Sequence, residues 1–187
     1  MSKIALTPNA SGTGTLTIAA PNTSTNRTLT LPDETGTLLS STTNITSQAM
    51  NGPAFFASAS GGGQSVATVT YTKVAVASEA FDTNSCYDNS TYRFTPNVAG
   101  YYRVDGRVYW VNSVTSSTAN IYKNGASYIT RYDQGTYANL MQECGAIIYM
   151  NGSTDYLELY GYHQQGTNVS IWTGMGTFFQ AYLVRAA

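Results

Sequence analysis

An all-β fold, a sandwich or barrel of short strands, is what this sequence predicts, and three observations carry the prediction. Apolar and polar residues alternate with a period of two in short runs from Phe55 onward, no stretch keeps a helical period at length, and turn residues separate the runs at regular spacing. The clearest run is 92–111. Tyr102, Val104, Gly106, Val108 and Trp110 fall on one face of a strand, and Tyr101, Arg103, Asp105, Arg107 and Tyr109 fall on the other. Ahead of it, Pro96 presets φ and lacks a donor while Gly100 can take a positive φ. The segment therefore reads as a β-hairpin with one core face, joining a strand at 92–95 to a strand at 101–111.

The same reasoning places strands at 54–58, 66–73, 118–123, 127–132, 140–150, 155–161 and 177–183. Turn signals separate most of them: Gly61-Gly62-Gly63, Asn124-Gly125, Asn151-Gly152, Gln165-Gly166 and Gly174 to Gly176. Many short strands punctuated in this way fit a jelly-roll β-sandwich.

The N-terminal part differs in kind. Through Pro53 it has no aromatic residue and four charged ones, Lys3, Arg27, Asp33 and Glu34, against a heavy load of Thr, Ser, Asn and Gly. Every Tyr, Phe and Trp lies from Phe55 onward, where large rings can build a core. The chain is thus expected to divide into a Thr/Ser/Gly-rich β stem at 1–53 and a knob at 54–187. Within the stem, "GTGTLTIAAP" and "NRTLTLPDETGTLLS" echo each other, with Leu16 and Ile18, then Leu29 and Leu31, on one side and threonines on the other. Two such strands are marginal alone, so association with identical copies is expected.

Composition excludes several functions. Net charge is −1, 10% of residues are charged, and no Lys/Arg run exists, so capture of nucleic acid has no electrostatic basis. No window approaches the roughly 20 apolar residues of a membrane helix, and "MSKIALTPNAS" lacks a signal-peptide core, so the expectation is a product made in the cytoplasm. Cys86 and Cys144 are then expected as reduced thiols, Cys144 as a small buried hydrophobe. The single histidine, His163, and two distant cysteines supply no metal site. No G-x-S-x-G occurs, and nothing in the sequence brings together any two of Asp133, Glu143, Asp155 and Glu158. Asp133 and Asp155 read as turn residues and Glu158 as part of a solvated strand face. The expectation is a protein without cofactor or catalysis.

Two resemblances extend this reading. "YDNSTYRFTPNVAGYY" resembles the central signature of the jelly-roll family of complement component one, subcomponent q, and tumour necrosis factor. "IYKNG", "IIYMNGSTDYLELYGY" and "TFFQAYLV" resemble that family's later strands in the same order, so the likeness covers roughly 54–185. "GTLTIAAPNTSTNRTLTLPDETGTLLS" resembles a segment of bacteriophage tail fibres and related appendages, where threonine-rich strands lead into a C-terminal knob. The first resemblance implies a homotrimer with one sheet of each jelly roll along the three-fold axis. Strand tyrosines Tyr109, Tyr156, Tyr160 and Tyr162 are expected at that interface, where an apolar body with a polar tip is favoured. Some members of that family bind calcium, but no ligand pattern carries over.

Loop aromatics are the better candidates for recognition: Tyr132 and Tyr137 in "RYDQGTY", His163 in a Gln-rich loop and Trp172 in "VSIWTGMG". His163 is read either as an exposed loop side chain or as a receptor-contacting one. Together the resemblances imply a structural virion protein. Residues 1–53 would mount it on other tail or capsid proteins, and the knob would bind a host cell-surface glycan or protein. The rival readings are a capsid decoration or head-fibre protein without a dedicated receptor, and a polysaccharide depolymerase.

Overall fold

The computed structural model describes residues 52–187 together with 11–15, 17, 22–26 and 28. The chain divides into two compact units, Met1–Leu39 and Ser40–Ala187, and the second contains the knob. The strands expected in the N-terminal stem fall largely outside the described residues.

Thirteen strands and no helix occur among the described residues: β1 Ala54–Ala59, β2 Gln64–Val66, β3 Thr72–Lys73, β4 Ser78–Asp82, β5 Tyr87–Asp88, β6 Arg93–Phe94, β7 Ala99–Tyr109, β8 Ser113–Lys123, β9 Ala126–Ala138, β10 Met141–Asn151, β11 Leu157–Tyr162, β12 Val169–Ile171 and β13 Gly174–Ala186. One sheet has five strands in the order β10-β7-β13-β1-β4. The other runs β5-β6-β11-β8-β9, with β3 added on β11, and β12 and β2 form a separate two-stranded ribbon. All pairings are antiparallel.

The inner faces of the two sheets make one core. Phe55 of β1 stacks on Tyr87 at 4.4 Å and on Phe94 at 4.7 Å, and meets Phe179 edge-on at 5.2 Å, so both sheets share one aromatic cluster. Gly106 lets the sheets approach, since a Cβ there would lie 2.5 Å from Leu159 Cδ1. Tyr102, Val104, Val108 and Trp110 face inward and are fully buried, as their alternation predicts.

The hairpin expected at 92–110 is not one. β6 pairs with β5 and β11, whereas β7 pairs with β10 and β13, so the turn carries the chain from one sheet to the other. Phe94 and Tyr102 then meet edge-on from opposite sheets, ring centroids 5.6 Å apart. Period-two alternation tells which face of a strand is buried; it does not tell which strand is its partner. The strand expected at 66–73 is also broken. Val69 takes φ 56°, a costly region for a β-branched residue, while its N–H donates to His163 O at 2.8 Å. Gly174 to Gly176, expected as a turn, instead opens β13.

Asn124 and Gly125 both have positive φ, 53° and 79°, and close the β8–β9 hairpin as the Asn-Gly pair predicts. At the far end of the same strands Asn112 and Asn139, also at positive φ, bond each other: Asn139 N donates to Asn112 O at 2.8 Å and Asn112 N to Asn139 Oδ1 at 3.1 Å.

Candidate functional site

Three regions of the knob present chemistry. The first is the outer face of the five-stranded sheet. Register puts Tyr149 opposite Tyr101, Ile147 opposite Arg103, Glu143 opposite Arg107 and Met141 opposite Tyr109 between β10 and β7. Across the next strand Tyr182 lies opposite Arg103 and Phe178 opposite Arg107, and Phe81 of β4 faces Phe56 of β1. Ile147 is 59% exposed and Tyr182 51% exposed, and Tyr101, Tyr149, Phe81, Met141 and Val184 also stand in solvent. The charges among them are paired within the chain: Arg103 with Asp105, and Arg107 with Glu143 at 3.1 Å, the Arg107 guanidinium also lying 4.6 Å from the centre of the Phe178 ring. Gly145 makes room for the Arg103–Asp105 pair, which any side chain there would strike.

The second region is the outer face of the six-stranded sheet. Tyr122 stacks on Tyr160 at 4.0 Å and Tyr71 on Tyr162 at 4.6 Å, while Tyr71 and Tyr122 lie 6.2 Å apart, so four rings form one strip. At its end Glu158, whose side chain is 3% exposed, accepts from Lys73 Nζ at 2.7 Å and from Arg93 at 2.9 and 3.1 Å. The Arg93 guanidinium covers the Tyr156 ring at 3.7 Å. Burial raises the phenol pKa of Tyr160 above its ordinary value, with the Glu158 charge adding to the effect.

The third region is a cleft between β9 and β10, lined by Arg131, Asp133, Tyr137, Met141, Gln142 and Glu143. Arg131 donates to Asp133 at 2.9 Å, and the buried Gln142 amide donates to Asp133 Oδ2 at 2.8 Å and to Ser117 O at 3.0 Å. Gln142 Oε1 in turn accepts from Trp110 Nε1 at 2.7 Å. Those bonds, Arg131 first and Gln142 second, hold the Asp133 carboxyl below the usual range. The fold thus brings Asp133 and Glu143 to one cleft, which their spacing in sequence did not foretell. The bonds from Arg131 and Gln142 favour the anionic form of Asp133. No group of three or more His, Cys, Asp or Glu side chains fit to hold a metal occurs among the described residues.

The expected site residues do not gather. Of the four tyrosines expected at one interface, only Tyr109 is on the five-stranded sheet. Tyr160 and Tyr162 are on β11 of the other sheet, and Tyr156 immediately precedes it. Tyr132 and Tyr137 are exposed but belong to different places: Tyr132 sits opposite Thr118 on the six-stranded face, and Tyr137 lines the cleft. Trp172 is exposed at the end of the knob beside Gly61-Gly62-Gly63, its ring 5.7 Å from that of Tyr109. His163 corrects the reading as an exposed loop side chain: it follows β11 in a loop but is buried. It is 0% exposed, its ring bonds Val66 O at 3.0 Å through Nε2 and Gln165 N at 3.2 Å through Nδ1, and it meets Trp110 edge-on at 5.3 Å. A ring so placed cannot touch a partner directly. Glu158 is an ion-paired buried carboxylate and not a solvated one, and Asp133 lies within β9 and not in a turn.

The exposed apolar set Tyr101, Ile147, Tyr149 and Tyr182 was missed. One signal was available: Ile147-Ile148-Tyr149-Met150 is apolar on both faces of its strand, the pattern of a strand covered on both sides. Tyr71 offered no signal, because its segment is irregular.

No family sequence model matches the chain, and no curated protein matches it by sequence. Solved structures match it by shape. The chain is similar to the tumour necrosis factor Eiger of S. frugiperda, at 14% identity and a TM-score of 0.53, over 73% of this chain and 95% of that one. It is similar to PRD1 vertex protein P5 at 12% identity and a TM-score of 0.53, over 72% and 74% of the two chains. Murine APRIL matches at 8% identity with a TM-score of 0.51, over 71% of this chain and 98% of that one. The knob is a jelly roll. The fold implied by the first resemblance therefore stands, on a likeness that extends to the fold alone.

Proposed function

We propose that this chain is a homotrimeric structural protein of a phage particle, with residues 1–53 mounting it on the virion and the knob at 54–187 presented to the host surface. The observation that supports it is the outer face of the five-stranded sheet. Ile147, Val184, Phe81, Met141 and the rings of Tyr101, Tyr149 and Tyr182 stand in solvent together, an apolar patch of the kind that marks an association surface. Arg103 and Arg107 on this face are already paired with Asp105 and Glu143 within the chain, so covering them leaves neither without a partner. The six-stranded face carries tyrosines with hydroxyl tips and no aliphatic row, which suits a surface left in water. Tyr109 belongs to the covered face in this reading; Tyr156, Tyr160 and Tyr162 belong to the open one.

The phage context rests on the threonine-rich prefix and on the likeness to a phage vertex protein. That same likeness favours a second reading, a capsid-mounted decoration protein without a dedicated receptor.

Sedimentation equilibrium of the full chain tests the assembly. The expected result is three times the chain mass of 20.0 kDa, reverting to a folded monomer in Ile147→Asp. A monomeric parent protein at micromolar concentration would overturn the reading. Adsorption competition then separates the two mountings: free protein that protects host cells from infection supports receptor binding, and free protein without effect supports the decoration role.

A further inference from the structure

We infer that the hollow at one end of the knob, between Gly61-Gly62-Gly63 and Trp172, is a binding site for a neutral carbohydrate with the indole face as its platform. This rests on the receptor-binding reading above and gives it a place and a ligand class.

Glycines make the hollow. It has a volume of about 380 Å³, the scale of a small-ligand pocket, and Gly61, Gly62, Gly63, Ser170, Trp172 and Thr173 are among the residues that line it. Gly61 and Gly63 take φ of 88° and 93°, where side chains are rarely tolerated, so this wall stays bare. A Cβ built at Gly61 or Gly62 would meet no atom within 4 Å, so the space beside them is open. Opposite them the Trp172 ring is 52% exposed. That ring is also fixed in place. Trp172 N donates to Tyr109 O at 2.7 Å, the two rings lie 5.7 Å apart, and Gly176 leaves room for the indole, whose Cδ1 a Cβ there would approach to 2.9 Å. A ring set before binding loses little freedom when a ligand packs on it.

The polar groups of the hollow are free. The hydroxyls of Ser170 and Thr173 and the indole N–H of Trp172 have no hydrogen-bond partner among the described residues, and Ser170 and Trp172 are exposed to water. No charged side chain lines the hollow, so an ionic ligand would lose water there without gaining a counter-charge. An aromatic face beside uncharged, unpaired donors and acceptors suits a ligand with an apolar C–H face and hydroxyls on its rim, which is a sugar. The position agrees. Where the chain enters the knob, Leu183 N donates to Pro53 O at 3.0 Å, and Leu183 is opposite Tyr102 of β7. Tyr109, which Trp172 touches, lies further along that strand by roughly 24 Å at about 3.4 Å per residue. The hollow is thus at the end of the knob remote from the point of entry.

The test uses the full chain and two probe sets, neutral oligosaccharides of glucose, galactose and N-acetylglucosamine, and acidic oligosaccharides of uronic acids. The chain has two tryptophans and Trp110 is fully buried, so a sugar bound at the hollow is read as protection of Trp172 from acrylamide quenching. Neutral probes are expected to protect it. With the same probes immobilised, Trp172→Ala is expected to raise Kd about tenfold, the size of one lost aromatic contact, and Trp172→Phe, which keeps a ring, to fall between. Tyr128→Ala, an exposed ring of β9, is the control and leaves Kd unchanged. Retention of the acidic set alone, retention of neither set, or retention that Trp172→Ala weakens less than twofold overturns the inference. So does a Trp172→Ala variant of lower assembled mass than the parent in sedimentation, because the ring would then be a contact between copies. If free protein protects host cells while no sugar is retained, receptor binding stands and the carbohydrate site falls. If sugar is retained through Trp172 and host cells are not protected, the site stands and the receptor-binding reading falls.

Discussion

Replacing Gln142 with leucine should cost the knob more than most single substitutions, because this one amide closes a chain of buried polar groups. Its Oε1 accepts from the Trp110 indole at 2.7 Å and its Nε2 donates to Ser117 O at 3.0 Å; Trp110 and Ser117 are both fully buried. Leucine fits a similar volume but leaves the indole N–H and the Ser117 carbonyl unpaired, at about 1–3 kcal/mol for each orphaned group. Asp133 loses a donor as well, but keeps Arg131 at 2.9 Å. Added apolar burial recovers part of the loss, so the net destabilisation is about 2–4 kcal/mol. With a urea dependence of roughly 2 kcal/mol per molar, the unfolding midpoint falls by about 1–2 M. The assay is urea unfolding followed by tryptophan fluorescence, at one fixed protein concentration because association of copies adds to apparent stability. A midpoint within about 0.2 M of the parent would refute the claim that this chain of bonds matters to the core.

Other outcomes can be read from the same structure. Glu158→Gln leaves Lys73 and Arg93 facing a neutral amide; both cations retain water, so the expected loss is about 1–3 kcal/mol, smaller than for a fully buried pair, and a change below about 0.5 kcal/mol in urea unfolding would contradict it. Gly106→Ala forces a methyl toward Leu159 Cδ1, where the ideal Cβ lies 2.5 Å away, and should destabilise by about 1–3 kcal/mol; a more stable variant would mean that the sheets can separate freely. Burial pushes the Cys144 thiol up to about 12, so the folded chain keeps a proton that the unfolded chain releases above the ordinary value of 9.0. Stability from this group is full below pH 9.0 and declines as pH rises towards about 12, and native protein at pH 8 should resist thiol reagents until urea is added. Rapid labelling of native Cys144 would show the reverse. Hydrogen bonds from Ser90 and Thr91 hold the Asp88 carboxyl well below its usual range, so its contribution is present above pH 3.8 and is lost as pH falls further; Asp88→Asn should flatten the acid limb of the stability profile, and an unchanged limb would discount the turn.

Much of the fold was legible because alternation and turn chemistry are local. Tyr102 to Trp110 announce their buried face two residues at a time, and Asn124-Gly125 announces a hairpin by its demand for positive φ. What escaped was non-local. Whether Phe94 pairs beside Tyr102 or faces it across the core depends on strands more than 50 residues away in sequence, Leu157 for β6 and Phe178 for β7. The site was less legible still. Tyr109 and Tyr160 have the same residue type and the same period, yet sheet membership sends one to each side of the sandwich. His163 was misplaced for a related reason. Its Gln- and Gly-rich neighbourhood reads as solvent, but Trp110 and the Val66 carbonyl draw the ring inside. Asp133 and Glu143 line one cleft although β9 and β10 belong to different sheets, a proximity that their spacing along the chain does not announce.

The Arg131–Asp133 pair has a bearing on pairing between copies. β9 is an edge strand of thirteen residues, long enough to template another chain along its unpaired backbone groups. A strand added there would have to pack over a guanidinium and a carboxylate turned toward the cleft, and would strip both of water. Edge-to-edge pairing of two copies through β9 is disfavoured on that account.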